Sequence, residues 1–153
     1  MGDRGAPAIR AAQASDLTAV RALLLEADLP ADGLEDQFGP RYAVAEAGGA
    51  SEGGLVGAAG VEVYGAIGLL RSVVVAPSHR GTGLGRALVA DRLAWARRQG
   101  LTAVYLLTTT ATDFFARLGF ERVEREGVPP AIRASREFAS VCPSTAVVMR
   151  VVL

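Results

Sequence analysis

Apolar residues recur along the chain with two different periods, and each period predicts a type of element. Between residues 17 and 27 they are spaced by three or four positions, at Leu17, Val20, Leu24 and Ala27, which predicts an amphipathic helix. Residues 69–76 are almost wholly apolar, as in a strand that is covered on both faces. We therefore expect this strand to lie in the middle of a sheet.

The period of the apolar positions, together with turn and capping residues, divides the rest of the chain into predicted strands and helices. The predicted strands are residues 9–12, 42–47, 55–64, 69–76, 103–108, 120–125 and 145–153. The predicted helices are residues 17–27, 34–38, 84–99, 113–118 and 129–139. Early strands follow one another directly, whereas later strands alternate with helices. This order predicts an α+β protein with a mixed sheet and helices on both faces.

Composition narrows the class of protein. The chain has 153 residues, of which 50% are hydrophobic, so we expect one folded domain over residues 1–153 and exclude a disordered chain. No apolar run approaches the roughly 18–20 residues of a membrane helix, and residues 1–10 lack the apolar core of a secretory signal. A formal net charge of zero argues against a broad nucleic-acid interface. These features predict a cytoplasmic protein that acts on small molecules.

The absence of lysine and the presence of a single cysteine exclude further kinds of site. All 16 basic residues are arginine, which rules out chemistry that needs a lysine, such as a Walker A phosphate loop or a Schiff base. The single cysteine, Cys142, cannot form an internal disulfide or a multi-cysteine zinc site, and we expect no metal. The single histidine, His79, falls in a turn and is interpreted as a surface residue.

The segment after the apolar strand carries the clearest chemical signal. Pro77 ends the strand, and residues 80–85 read Arg-Gly-Thr-Gly-Leu-Gly before the next helix. Glycines allow close backbone approach and positive φ, and a helix start presents free N–H groups and the positive end of the helix dipole. Together they favour a pyrophosphate site, to which Arg80 and Arg86 add charge. A connection without a ligand is one alternative.

A dinucleotide-binding turn is the other alternative for this segment. Its third glycine would fall at position 86, where the chain has Arg86. No acidic residue follows at the distance where the ribose partner of a dinucleotide belongs. The pattern therefore favours a different kind of pyrophosphate-binding loop.

Three segments together resemble the GNAT family, the GCN-related N-acetyltransferases. Residues 80–85 match its (Arg/Gln)-x-x-Gly-x-(Gly/Ala) motif, residues 71–77 resemble its fourth strand, and residues 111–120 resemble its later helix-and-turn motif. They occur in the family's order, and the resemblance covers essentially the whole chain. It implies a three-layer α+β fold whose mixed, mostly antiparallel sheet has a V-shaped split between the fourth and fifth strands. It also implies an acetyl-CoA-dependent N-acetyltransferase that forms a homodimer.

Shorter stretches are similar to a narrower group, the arsenic-resistance N-acetyltransferases (the ArsN group). These stretches are residues 69–72, 106–110 and 136–143. Relatives of that group acetylate glutamate-like amino acids that bear an arsinic or phosphinic group, so the similarity implies an arsinothricin-type or phosphinothricin-type acceptor and a role in arsenic resistance or detoxification. Two alternatives are another amine, such as a peptide N-terminus or a polyamine, and a non-catalytic sensor that binds acyl-CoA.

The family resemblance also implies which residues bind acetyl-CoA. The pantetheine arm would lie along the backbone of Val73 and Val75, and the backbone N–H of Val73 or Val74 would polarise the acetyl carbonyl. The pyrophosphate would lie on the N–H groups of residues 81–86, while the side chain of Leu84 packs into the core. The full set is Val73, Val74, Val75, Arg80, Gly81, Thr82, Gly83, Leu84, Gly85, Arg86, Thr108 and Phe115.

Phe115 departs from the family pattern. It stands where relatives often have a tyrosine that protonates the leaving thiolate, and phenylalanine has no proton to donate. Because thiols have pKa values of about 8.5, this protonation is not obligatory, and water, Ser72 or Thr108 could supply it. The attacking ammonium benefits from a base, and Glu62, which interrupts an apolar strand, is our candidate. The alternative for Glu62 is a strand residue that faces solvent.

The resemblance places the acceptor between the first helices, the central strand and the C-terminal loop. Arg71 interrupts the apolar strand, where an arginine is costly unless it is paired or lines a cleft. We interpret Arg71, next to Ser72, as a carboxylate clamp, with a structural ion pair as the alternative. Arg133 and Arg136 are interpreted as either a second anion site or a solvated face, and Leu29 as part of an apolar wall.

Overall fold

The computed structural model describes residues 7–47, 54–135, 138 and 146–153. The strands are β1 (Ala8–Ala11), β2 (Tyr42–Glu46), β3 (Leu55–Tyr64), β4 (Ile67–Val75), β5 (Ala103–Thr108), β6 (Glu121–Arg122) and β7 (Val147–Val152). The helices are α1 (Leu17–Glu26), α2 (Leu84–Arg98), α3 (Thr112–Arg117) and α4 (Pro130–Arg133). Short 3₁₀ turns cover Ala14–Asp16, Leu34–Asp36, Pro77–His79 and Arg125–Gly127.

The seven strands form one sheet in the order β1-β2-β3-β4-β5-β7-β6. Neighbouring strands are antiparallel except β4 and β5, which run parallel. The apolar strand β4 therefore lies in the middle of the sheet, as its sequence predicted. The mixed, mostly antiparallel sheet is confirmed.

Helices cover both faces of the sheet, which is also confirmed. Side chains on the two faces of β4 enter different hydrophobic clusters. Leu70 packs in the cluster that includes Leu88 of α2. Leu69 packs with Ile132 of α4, and Val74 packs in the cluster beneath α1. Thus α2 covers one face of the sheet, whereas α1 and α4 cover the other.

The sheet splits between β4 and β5. Their parallel pairing runs from Ile67 opposite Ala103 to Leu70 opposite Leu106, and the described register ends there. Beyond that point β4 continues beside β3, and β5 continues beside β7 as far as Thr108. Because each strand keeps its outer partner, the two strands diverge. The expected V-shaped split is therefore present.

A β-bulge interrupts β4 at the start of the split. In the pairing with β3, Arg71 lies opposite Gly60 and Val74 lies opposite Ala58, so one residue of β3 faces two residues of β4. Those two residues are Ser72 and Val73, which have no partner in the described strand registers. Ser72 has φ +61°, a left-handed conformation that is uncommon outside glycine.

Helix α2 follows the glycine-rich turn and packs on the face opposite α1. Its N-cap is Gly83, and Gly100, with φ +84°, follows its end. The buried residues of this helix are Leu84, Leu88, Val89, Arg92, Leu93 and Ala96. In the described part of the chain, no helix combines the length and the apolar character needed to cross a membrane.

Two elements near the C-terminus differ from their predictions. The strand predicted over residues 120–125 is only Glu121–Arg122, because it lies at the sheet edge and a 3₁₀ turn begins at Arg125. The helix predicted over residues 129–139 is interrupted: α4 ends at Arg133, whereas Phe138 is again helical. At the interruption Ser135 donates its hydroxyl to the Ile132 carbonyl and accepts the backbone N–H of Phe138. Residues 136–137 and 139–145, including Cys142, lie outside the described residues.

A buried carboxylate joins the turn before α1 to the sheet. Asp16 accepts a hydrogen bond from the Arg10 guanidinium at 2.8 Å and another from the Gln13 backbone N–H at 2.8 Å. The Arg10 bond is the main cause that holds the pKa of Asp16 below its ordinary value, although burial opposes it. A lowered pKa in the folded state adds stability above the unfolded pKa of about 4. That stability is lost as the pH falls through the folded pKa.

We expect Asp16→Asn to lower the free energy of unfolding at pH 7 by about 1 kcal/mol. Hydrogen bonds to charged groups contribute somewhat more than this, but the Arg10 side chain is 33% exposed and partly screened. The variant should also lose less stability than the unchanged protein between about pH 5 and pH 2. Urea unfolding across this range measures both effects. Equal losses on acidification would contradict the assignment.

Candidate active site

A cavity of about 610 Å³ opens in the split between β4 and β5. The second half of β4 lines one side, and the end of β5 and the start of α3 line the other. Pro30 contacts Arg71, whereas Arg80 contacts Val75, so Pro30 and the glycine-rich turn lie at opposite ends of this half of β4. These two ends of the cavity differ in their chemistry, as follows from the residues that line each of them.

One end of the cavity is suited to an anion. Gly81 and Gly83 have φ +78° and +88°, and no atom lies within 4 Å of the position a Cβ would take, so their backbone is open to a ligand. Helix α2 begins at the next residue and presents its N-terminus. Arg80 donates to the Val75 carbonyl at 3.1 Å, and Arg86 is exposed in the lining. These features together match a phosphate site.

Some expected acetyl-CoA residues face away from the cavity. The Thr82 hydroxyl donates to the His79 carbonyl at 2.5 Å, and Thr82 does not line the cavity. The side chain of Val74 packs beneath α1, so Val74 could contact a ligand only through its backbone. Leu84 is 5% exposed and packs in the α2 core, and it also borders the cavity. Val73, Val75 and Gly85 do line the cavity.

The wall formed by β5 and α3 carries Thr108 and Phe115, of which Phe115 departs from the family pattern. The Thr108 hydroxyl accepts the backbone N–H of Ala111 at 2.9 Å, which shapes the start of α3. Phe115 is 7% exposed and packs edge-to-face against Phe114 and Phe120, with ring centroids 5.0 and 5.8 Å away. Phe115 therefore contributes an apolar surface, and no proton donor, to this wall.

The other end of the cavity is built around a buried ion pair. The Arg71 guanidinium lies 3.1 Å from Oε2 of Glu62, and their side chains are 0% and 3% exposed. Tyr64 donates its hydroxyl to Oε1 of the same carboxylate at 2.6 Å. The ion pair that was the alternative for Arg71 therefore forms, and Glu62 does not face solvent. Roles for Arg71 as a clamp and for Glu62 as a base stay predictions.

Tyr64 stays protonated in this arrangement. Burial, and next the hydrogen bond to Glu62, raise its pKa above the ordinary value. Its hydroxyl is therefore a hydrogen-bond donor across the working pH range. Glu62 itself lies behind the cavity wall, since Arg71 and Ser72 line the cavity and Glu62 does not.

The other residues expected to contact the acceptor differ in their position relative to the cavity. Leu29 is 37% exposed and lines the cavity beside Pro30. Arg133 is exposed, donates to the Arg125 carbonyl at 3.0 Å and does not line the cavity. Arg136 lies outside the described residues. Leu29 thus lies in the cavity lining, whereas Arg133 lies away from the cavity, and a role for Leu29 in binding the acceptor stays a prediction.

Sequence reasoning missed several parts of this cavity. His79, interpreted as a surface residue, is half-buried and lines the phosphate end. The partnership of Glu62 and Arg71 had a readable signal. A two-residue turn sets Tyr64 opposite Ile67, which makes Glu62 and Arg71 diagonal neighbours on one face of adjacent strands.

The residues that the structure describes contain no group of three or more side chains suited to hold a metal ion.

Comparison with known proteins identifies the family. Residues 39–122 match the model of the acetyltransferase (GNAT) domain. A stretch of 62 residues is 40% identical to glucosamine 6-phosphate N-acetyltransferase of Trypanosoma brucei brucei, covering 40% of this chain and 42% of that protein. Another relative is an uncharacterised N-acetyltransferase of Chlorobaculum tepidum, 35% identical over 63 residues, which are 41% of this chain and 40% of that protein. The aligned stretches span about two fifths of these curated relatives.

Solved structures share the fold along nearly the whole chain. N-acetylglutamate synthase of Neisseria gonorrhoeae, complexed with coenzyme A and N-acetyl-glutamate, is 22% identical with a TM-score of 0.78, covering 95% of this chain and 35% of that chain. A Mycobacterium tuberculosis protein in complex with CoA is 27% identical with a TM-score of 0.74, covering 96% of this chain and 99% of that chain. Because the domain model matches more than half of the sequence, the chain belongs to the GNAT family of acetyltransferases.

Proposed function

We propose that this chain transfers the acetyl group of acetyl-CoA to the amine of a small, acidic, amino-acid-like acceptor. The observation that carries the proposal is the cavity in the split. It joins an anion site at a helix N-terminus to an interrupted strand and then to an apolar wall beside a buried ion pair. Family membership and the CoA-bound structural neighbours support the identity of the donor.

Acetyl-CoA would lie along the exposed half of β4. Its pyrophosphate would bind the open backbone between Gly81 and Arg86, and its pantetheine arm would pass Val73 and Val75. Thr108 and Phe115 would form the opposite wall. This placement brings the thioester to the bulge at Ser72 and Val73, where β4 lacks a strand partner in the described register.

The reaction would be a direct attack in a ternary complex. The acceptor nitrogen forms a bond to the thioester carbon, the C–S bond breaks, and the sulfur leaves as the CoA thiolate. The backbone N–H of Val73 would stabilise the oxyanion that forms on the carbonyl oxygen. Glu62 would accept the proton lost by the amine, through water, because it lies behind the wall.

The leaving thiolate needs no tyrosine in this scheme. A thiol pKa of about 8.5 means that the thiolate is a stable leaving group near neutral pH. Water can return the proton, and Ser72 and Thr108 carry hydroxyls in the cavity lining. Phe115 is compatible with this scheme and equally with a sensor that binds acyl-CoA without turnover.

Two observations support an acidic acceptor of the arsinothricin or phosphinothricin type. Short stretches of the sequence resemble the arsenic-resistance group, and one structural neighbour was solved with N-acetyl-glutamate, an acidic amino acid acetylated on its amine. Direct contact between Arg71 and such an acceptor requires the guanidinium to exchange Glu62 for the acceptor's acid group. We propose resistance to such a compound as the biological role, in a cytoplasmic homodimer, and light scattering on the purified protein tests the dimer.

An amino sugar phosphate is the second candidate acceptor. It is supported by the stretch that is 40% identical to glucosamine 6-phosphate N-acetyltransferase. This acceptor also carries an amine and an anionic group, so its size and sugar ring, rather than its charge, would separate it from the first candidate.

The proposal is tested by measuring CoA release from acetyl-CoA with a panel of amines. The panel contains arsinothricin, phosphinothricin, glutamate, methionine sulfoximine, glucosamine 6-phosphate, spermidine and a short peptide. We expect turnover on the first two and a loss of at least about 100-fold in kcat on Glu62→Gln, as for removal of a general base. Acetyl-CoA binding without turnover on any amine would favour the sensor.

A further inference from the structure

The Arg71 guanidinium connects three separate parts of the site. It donates to Glu62 on β3 at 3.1 Å, to the Ser72 hydroxyl at 3.3 Å and to the Pro30 carbonyl at 3.5 Å. Ser72 belongs to the bulge, and Pro30 belongs to the loop that forms the acceptor wall beside Leu29. One side chain therefore holds the strand, the bulge and the loop together.

The burial of this side chain distinguishes Arg71 from a clamp that contacts a ligand at the cavity surface. Its side chain is 0% exposed, so the surface that Arg71 presents to the cavity is backbone. A buried ion pair contributes little net stability compared with apolar side chains of similar volume, so packing alone does not call for one here. Its links to Ser72 and Pro30 suggest that it fixes the shape of the site instead.

The bulge needs such support. Ser72 adopts φ +61°, which a residue with a Cβ rarely keeps unless its surroundings hold it. The bond from Arg71 Nε to the Ser72 hydroxyl lies at this residue, and the bond to Pro30 fixes the facing wall. Relaxation of the bulge would turn the next amide, that of Val73, away from its present direction.

We propose that Arg71, held by Glu62, is a positioning residue that fixes the Val73 amide and the acceptor wall relative to each other. The inference rests on the proposed function, in which this amide meets the thioester carbonyl. It assigns to Arg71 a role that is independent of the acceptor's charge. An amine of any charge would therefore need it.

The test is the double variant Glu62→Leu/Arg71→Met, which replaces the pair by apolar side chains so that the protein keeps its fold. The first readout is the ¹⁵N–¹H signal of Val73 in protein labelled with ¹⁵N only at valine, identified by its absence in Val73→Ile. In the unchanged protein we expect this signal to move differently with acetyl-CoA and with CoA, because both carry the pantetheine arm but only acetyl-CoA carries the carbonyl. In the double variant the difference should vanish. Loss of a base alone would leave it intact.

The second readout is kinetic. We expect kcat to fall about 100-fold further than in Glu62→Gln, with acidic and neutral amines alike and with less than about a threefold change in the KM for acetyl-CoA, as for loss of an oxyanion donor. The matched control is Arg92→Met, which removes another buried guanidinium, on α2, that donates to the Pro40 carbonyl away from the cavity. It should leave the Val73 response unchanged.

Three results would overturn the inference. One is a double variant that keeps both its fold and the Val73 response. Another is an effect confined to the KM of acidic acceptors, which is what a carboxylate clamp would give. The third is an equal loss of the Val73 response in Arg92→Met. If the unchanged protein turns over no amine in the panel, the proposed reaction fails, while the Val73 signal still decides the role of Arg71.

Discussion

Replacing Gly83 by alanine should weaken acetyl-CoA binding by at least about tenfold. Gly83 has φ +88° and is the N-cap of α2, at the part of the turn where the backbone is open. A Cβ in the left-handed region costs about 1–2 kcal/mol, and this cost is relieved when the backbone rotates. Rotation would turn the N–H groups away from the pyrophosphate. Isothermal titration with acetyl-CoA measures the loss.

A second glycine of α2 supplies the matched control. Gly100 follows the end of the same helix with φ +84°, and no atom lies within 4 Å of its Cβ position. Gly100→Ala should therefore lower the free energy of unfolding by about 1 kcal/mol, as Gly83→Ala does, without changing acetyl-CoA binding. If the two variants bind acetyl-CoA equally, the glycine-rich turn is not the phosphate site.

The parts of the fold that could be predicted are those whose sequence signal lies in neighbouring residues. Strands β3 and β5 have the predicted bounds because turn residues flank each run of apolar positions. The glycine-rich turn was predictable for the same reason, since all its parts lie within residues 80–86. The short strand β6 was not, because its length depends on how far β7 pairs with it at the sheet edge.

The end of the cavity at the buried ion pair was harder to predict because its parts are distant in sequence. Pro30 lies 41 residues from Arg71, and no local pattern connects them. The sequence showed one charge out of place on each of two strands, and that the two charges meet could be read only from the two-residue turn that pairs these strands. The bulge at Ser72 had no signal either, since a serine in the left-handed region has no distinctive neighbours.

Gly60→Ala should destabilise the protein by about 3 kcal/mol, among the larger costs of overpacking a core. Gly60 on β3 lies opposite Tyr42 on β2, and a Cβ at Gly60 would overlap atoms of the Tyr42 ring. Tyr42 is 0% exposed and packs beside Phe38, so the ring has little room to move. Thermal unfolding should show a drop of roughly 10 °C for a chain of this size.

The matched control for this substitution is Gly127→Ala. Gly127 has no atom within 4 Å of its Cβ position and no positive φ, so we expect little change in the unfolding temperature. Adding Tyr42→Leu to Gly60→Ala should recover part of the loss, because two residues in contact are not additive. An additive double variant would show that the ring is not the cause.

Gly60 also lies opposite Arg71 at the edge of the bulge, so Gly60→Ala should lower kcat at temperatures where it remains folded. A variant with full kcat would mean that the position of the bulge does not depend on close packing between β2 and β3.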